Sequence, residues 1–100
     1  MQPFDFPPNA RKKKKVDSEA LKSPLMRIPR MNILAVRDLL DQGISQTYQL
    51  VGRSPEALLD EARKRRPEIP LDRLRFYRMA VYFAESSDPD PAKLFPEQWD

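Results

Sequence analysis

"LMRIPRMNILAVRDLLDQGI", Leu25 to Ile44, decides the fold of this chain. Its apolar residues lay out one helical stretch, a tight turn, a second helix and a glycine stop. Leu25, Ile28 and Met31 point apolar groups inward around the turn. Asn32 is placed to cap the second helix, because its side-chain oxygen can accept from amides that have no partner inside the helix. Leu34, Ala35, Val36, Leu39 and Leu40 then form a wide apolar stripe at helical spacing. Gly43 ends that helix, since glycine adopts the left-handed conformation at little cost.

A helix, a hairpin and a helix make the unit that grips nucleic-acid backbone elsewhere. Its helix N-terminal amides and positive dipole end suit a phosphate oxygen. Glycine usually opens such a turn, allowing positive φ and close approach of the backbone. Here the turn reads "IPRMN" and has no glycine. Two readings follow. In one, Arg30 brings its own charge to phosphate beside the neighbouring amides, and the contact set is Arg27, Arg30, Met31, Asn32, Ile33 and Arg37. In the other the turn is a connector closed by the Asn32 side chain, which competes with phosphate for the same amides. The hairpin then serves a protein-interaction surface around Met31 and the tail, because an apolar turn tip is costly to leave in water.

On the amino-terminal side, residues 1–16 are proline-rich and end in "RKKKKV". They hold too little apolar surface to offset chain entropy and read as a disordered basic arm. Arg11, Lys12, Lys13, Lys14 and Lys15 give that arm a salt-sensitive, sequence-independent attraction to nucleic acid. Such a tract also suits a localisation signal, a membrane-surface contact or a merely solvated run. "DSEALKS" starts a helix, with Asp17 or Ser18 as cap, and Pro24 interrupts it.

On the carboxyl side, "SQTYQLVG" predicts one or two helical turns between a Ser45 cap and a Gly52 stop. "SPEALLDEARKRR" predicts a helix with Ser54 as cap, Pro55 first, acids early and a basic cluster last. "IPLDRLRFYRMAVYFAES" predicts the longest helix and the centre of the core. Leu71, Leu74, Tyr77, Val81 and Ala84 share one face, flanked by Phe76, Ala80 and Phe83. The cations of "RKRR", Arg63 to Arg66, favour the helix dipole at that position. Arg75 and Arg78 share a surface, and Arg78 is placed to pair with an acid. Tyr77 and Tyr82 read as packing rather than as base-stacking groups. "SDPDPAKLFPEQWD" is a tail whose Leu94, Phe95 and Trp99 can dock on the body. The organisation expected is therefore an arm at 1–16, a helical domain at 17–86 and a tail at 87–100, with about five short helices around one core.

The whole chain narrows the function classes. It has 100 residues, 18 Lys and Arg against 15 Asp and Glu, no histidine and no cysteine. The missing imidazole and thiol remove the usual general base, the usual nucleophile and the commonest metal ligands, so neither an enzyme nor a cofactor or metal site is expected. No apolar run reaches the roughly 20 residues of a membrane span, and the amino terminus lacks the apolar stretch of a signal peptide. A cytoplasmic protein without membrane partners is expected, and its oligomeric state is open. Residues 1–24 carry a net +3, residues 25–85 another +3, and residues 86–100 a net −3. This asymmetry points to an anionic partner, or to contact between the basic and acidic ends of the chain itself.

"IPRMNILAVRDLLDQGI", "YQLVGRSPEALLDEA" and "RFYRMAVYFAE" together resemble the small bacterial helix-hairpin-helix family often labelled the pathogenicity-locus family, some members of which carry a mitomycin-resistance label. The resemblance runs over about residues 21–99, and its most specific element is Arg78 to Glu85. It implies an all-α, SAM-like helix-hairpin-helix fold and a DNA-related role. The chain departs from the family pattern where its two hairpin glycines fall on Arg30 and Asn32, and where a cysteine before the last helix is replaced by "IPLDRL". The function expected is non-enzymatic, sequence-independent binding of DNA or other nucleic acid. The alternative is a protein-protein interaction module whose hairpin has lost phosphate binding.

Overall fold

The computed structural model describes residues 18–100; the arm, with Arg11 and Lys12 to Lys15, and the Asp17 cap lie outside the described residues. All regular structure among the described residues is helical, as expected, and none of it is strand. The order is α1 over 18–22, a 3-10 turn at Pro24–Arg27, α2 at Ile33–Asp41, a 3-10 turn at Thr47–Leu50, α3 at Pro55–Arg65 and α4 at Arg73–Glu85. Two further 3-10 turns, Pro91–Lys93 and Pro96–Trp99, carry the tail.

Local chemistry sets most of these boundaries. Ser23 caps the Pro24–Arg27 turn by accepting from the Leu25 amide at 3.1 Å. Asn32 caps α2 by accepting from Leu34 and Ala35 N–H at 2.7 and 3.2 Å. Ser54 caps α3 through the Ala57 amide at 3.2 Å, with Pro55 in the first turn where its missing N–H is no loss. Gly43, at φ +82°, ends α2 in the left-handed region. Ser45 is not a cap. The Thr47–Leu50 turn is capped at Gln46, and Gln49 folds back to accept from the Ser45 and Gln46 amides at 2.8 and 2.9 Å. A longer amide side chain reaches two donors that the serine hydroxyl cannot.

α4 is central, packing on α3, on Thr47–Leu50 and on the tail turn Pro96–Trp99. Tyr77, Leu25, Ile28, Leu39, Leu50, Leu58 and Met79 are the largest fully buried side chains. Because α4 is covered on more than one side, Met79, off the expected face, is buried as completely as Tyr77. Two expected core residues are not in the core. Leu71 precedes α4 and is 64% exposed, and Leu34 is 40% exposed because Ala35, Val36 and Leu39 define a face from which it turns away. At the far end of α4, Glu85 accepts from the Gly52 amide at 2.8 Å and fixes the loop that follows Leu50.

Candidate nucleic-acid interface

α1 and the Pro24–Arg27 turn lie on one side of the Ile28–Asn32 turn, and α2 on the other. Between them the Met31 amide donates to the Ile28 carbonyl at 3.2 Å, closing a turn with Pro29 second and Arg30 third. Arg30 has φ 60° and is the one non-glycine residue with positive φ among the described residues. Proline second and positive φ third are what a type II turn demands, and glycine is the usual occupant of that third place. Arg30 thus has a glycine-like backbone although it is an arginine. Asn32 has an ordinary φ of −85°.

The candidate contacts separate by burial. Arg27 and Arg30 are exposed, whereas Asn32, Ile33 and Arg37 are half-buried. Met31 is 8% exposed and packs into the core with Leu25 and Ile28, so its side chain anchors the turn from inside. That packing removes the apolar tip on which the protein-interaction alternative drew. The amides of Leu34 and Ala35 are both engaged by the Asn32 side chain. The Arg30 guanidinium lies 3.7 Å from the centroid of the Phe95 ring and donates from Nη1 to the Leu94 carbonyl at 3.1 Å. An anion reaching this tip meets a guanidinium held by the tail rather than open backbone.

Most cations of α3, its cap and α4 have partners within the molecule, while Arg65 stays exposed without an ion pair. Arg63 donates to the Ile69 carbonyl at 3.0 Å, and Lys64 pairs with Glu61 at 2.7 Å. Arg66 reaches Asp38 and Asp41 at 3.3 and 3.4 Å, and Arg73 also pairs with Asp38. Arg75 pairs with Asp100 at 2.6 Å. Arg78 bridges Glu56 at 3.2 Å and the Trp99 carbonyl at 2.9 Å. The Glu56 carboxyl is held below the usual carboxylate range, first by its own backbone N–H and then by Arg78.

Asp38 is the residue that sequence reasoning passed over. It is 3% exposed, and the Tyr77 hydroxyl donates to it at 3.2 Å beside the two guanidiniums. The available signal was an acid next to the core face of α2, since a buried carboxylate requires partners. Burial first, and then the Asp38 charge, push the Tyr77 hydroxyl well above the ordinary tyrosine range. The other aromatic rings divide as well: Tyr82 is half-buried against Trp99 at 5.2 Å between centroids, and Tyr48 is 71% exposed.

The tail docks. Leu94 is buried, Trp99 is half-buried, the Trp99 indole N–H donates to the Lys93 carbonyl at 2.7 Å, and the Asp90 amide donates to the Tyr82 hydroxyl at 2.9 Å. Among the described residues no group of three or more acids is disposed to hold a metal ion, and no helix is long and apolar enough to cross a membrane. Comparison of the chain with protein-family models, with curated proteins and with solved structures returns no match.

Proposed function

We propose that this chain is a SAM-like helix-hairpin-helix protein of the pathogenicity-locus type that works in the cytoplasm, without catalysis, by binding nucleic acid regardless of sequence. The observation that carries the reading is the turn itself: Pro29, then Arg30 at φ 60°, then a capped helix, with an exposed guanidinium at the tip. The internal pairing of Arg63, Arg66, Arg73, Arg75 and Arg78 adds support, because Arg27 and Arg30 are exposed and join no ion pair with an acid among the described residues, as is also true of Arg53 and Arg65. The arm from Arg11 to Lys15 contributes long-range attraction, and the hairpin contributes a fixed contact.

The test is a titration of fluorescent duplex and single-stranded DNA at several salt concentrations. For the unaltered chain the affinity falls as a power of salt. Exchanging Lys12 to Lys15 for glutamine makes the slope shallower by roughly one for each phosphate that the arm no longer neutralises. Arg30→Glu produces a further loss, while different sequences of equal length bind alike. Absence of binding at low salt sinks the reading. The second reading, a protein-interaction module, is favoured by one observation, the occupation of the Leu34 and Ala35 amides by Asn32. It is supported if neither DNA form binds.

A further inference from the structure

Arg30 and Phe95 come from opposite ends of the described chain, yet they form one unit. We infer that the tail is part of the anion site: Phe95, with the Leu94 carbonyl, positions the Arg30 guanidinium to receive a phosphate group of a nucleic-acid backbone. This inference rests on the nucleic-acid reading above and states how a hairpin without glycine carries it.

The geometry has three parts. The guanidinium lies with its carbon 3.7 Å from the centroid of the Phe95 ring, a stacked cation–π arrangement that occupies a face and leaves the N–H edges open. Only Nη1 is given to a partner, the Leu94 carbonyl at 3.1 Å, and Arg30 remains exposed. Both tail groups that hold it are uncharged, so the positive charge is not neutralised by the contact, whereas the tail acid Asp100 pairs elsewhere, with Arg75. The platform is itself fixed. Leu94 is 7% exposed in the core, and the chain beyond Phe95 is tied to α4 by Arg78 on the Trp99 carbonyl and by the Tyr82–Trp99 ring contact.

Phe95 is 37% exposed, so the ring that seats the guanidinium lies at the surface, within reach of an outside anion. A free arginine loses side-chain entropy when it binds phosphate; one already stacked and hydrogen-bonded loses less, and that difference appears as affinity. Arg30 also retains a left-handed backbone that disfavours any residue but glycine, and such conformations concentrate where the side chain has a task. Phe95 is a positioning residue in this scheme, and Arg30 is the contact.

The full-length chain and its Phe95→Ala, Phe95→Tyr, Arg30→Gln and Phe95→Ala/Arg30→Gln variants are titrated with a short fluorescent duplex across salt concentrations, with helical content checked by circular dichroism. Phe95→Ala weakens binding about three- to tenfold at every salt concentration with its salt slope unchanged, because preorganisation is lost and charge is not. Phe95→Tyr restores the affinity. Arg30→Gln weakens binding and lowers the slope by about one, and adding Phe95→Ala to it costs nothing further. Equal affinity of Phe95→Ala and the unaltered chain, or tighter binding by Phe95→Ala, as a masking tail produces, overturns the positioning role while the nucleic-acid reading stands. Failure of the unaltered chain to bind at low salt overturns both.

Discussion

Asp38 shows how much one side chain can decide. Its carboxylate is almost fully buried, and it is tolerable there because Arg66, Arg73 and the Tyr77 hydroxyl converge on its two oxygens. Removing one member of a buried ionic group leaves the rest as uncompensated charge. Asp38→Ala is expected to destabilise the fold by about 3–5 kcal/mol, chiefly by stranding the Arg73 guanidinium, whose side chain is 11% exposed. A urea unfolding curve measures it, and a small single domain has little stability beyond that to lose. Tyr77 adds a pH dependence whose sign follows from proton counts. The unfolded tyrosine ionises near its ordinary value of 10.0, and the folded one at higher pH. Between the two, the folded state keeps a proton that the unfolded state has released. The stabilisation is therefore complete below about pH 10 and declines as pH rises, by up to about 1.4 kcal/mol per pH unit. Denaturant unfolding at a series of alkaline pH values should show that decline, and Tyr77→Phe should make it shallower while giving up the Asp38 hydrogen bond at neutral pH.

Among the elements, α2 bears most directly on the proposed function. Asn32 stabilises its start through two amides, and those same amides are what a glycine-bearing hairpin would leave for phosphate. Stability and binding therefore pull in opposite directions at one position. Glycine is nearly as good an N-cap as asparagine, so Asn32→Gly is expected to lower stability by only a few tenths of a kcal/mol. On the proposed function the same substitution tightens duplex binding severalfold by uncovering the Leu34 and Ala35 amides. Thermal unfolding and the duplex titration measure the two effects independently. Unchanged affinity in a folded variant would show that phosphate contact at this hairpin runs through Arg30 alone. α4 illustrates a different role for conspicuous residues. The two ends of "RMAVYFAE" are architectural: Arg78 ties α3 and the tail to α4, and Glu85 ties the Gly52 loop to it.

At the scale of the molecule, the tail turns a hairpin and a helical body into one surface. Arg30 and Leu94 are 64 positions apart, and Arg78, which donates to the Trp99 carbonyl, ties the end of the tail to α4. The helices α2, α3 and α4, the capping roles of Asn32 and Ser54 and the stop at Gly43 were legible in the sequence, because a cap and its amides lie within three residues of each other. So was the inward direction of Leu25, Ile28 and Met31, since they are the apolar groups recurring every third residue into the turn, although only Leu25 lies within a helical element. Leu71 was misread because α4 starts only at Arg73, so helical periodicity does not reach it, and Leu34 because periodicity defines an apolar face without saying how much of it the neighbours cover. The Asp38 cluster, with partners 28, 35 and 39 positions away, and the seat of Arg30 on Phe95 left no local trace. The sequence by itself determined an all-helical chain with a glycine-free turn ahead of α2. Only the tertiary structure decided which arginines remain facing outward, because an ion pair between distant residues exists only once packing has brought their helices together.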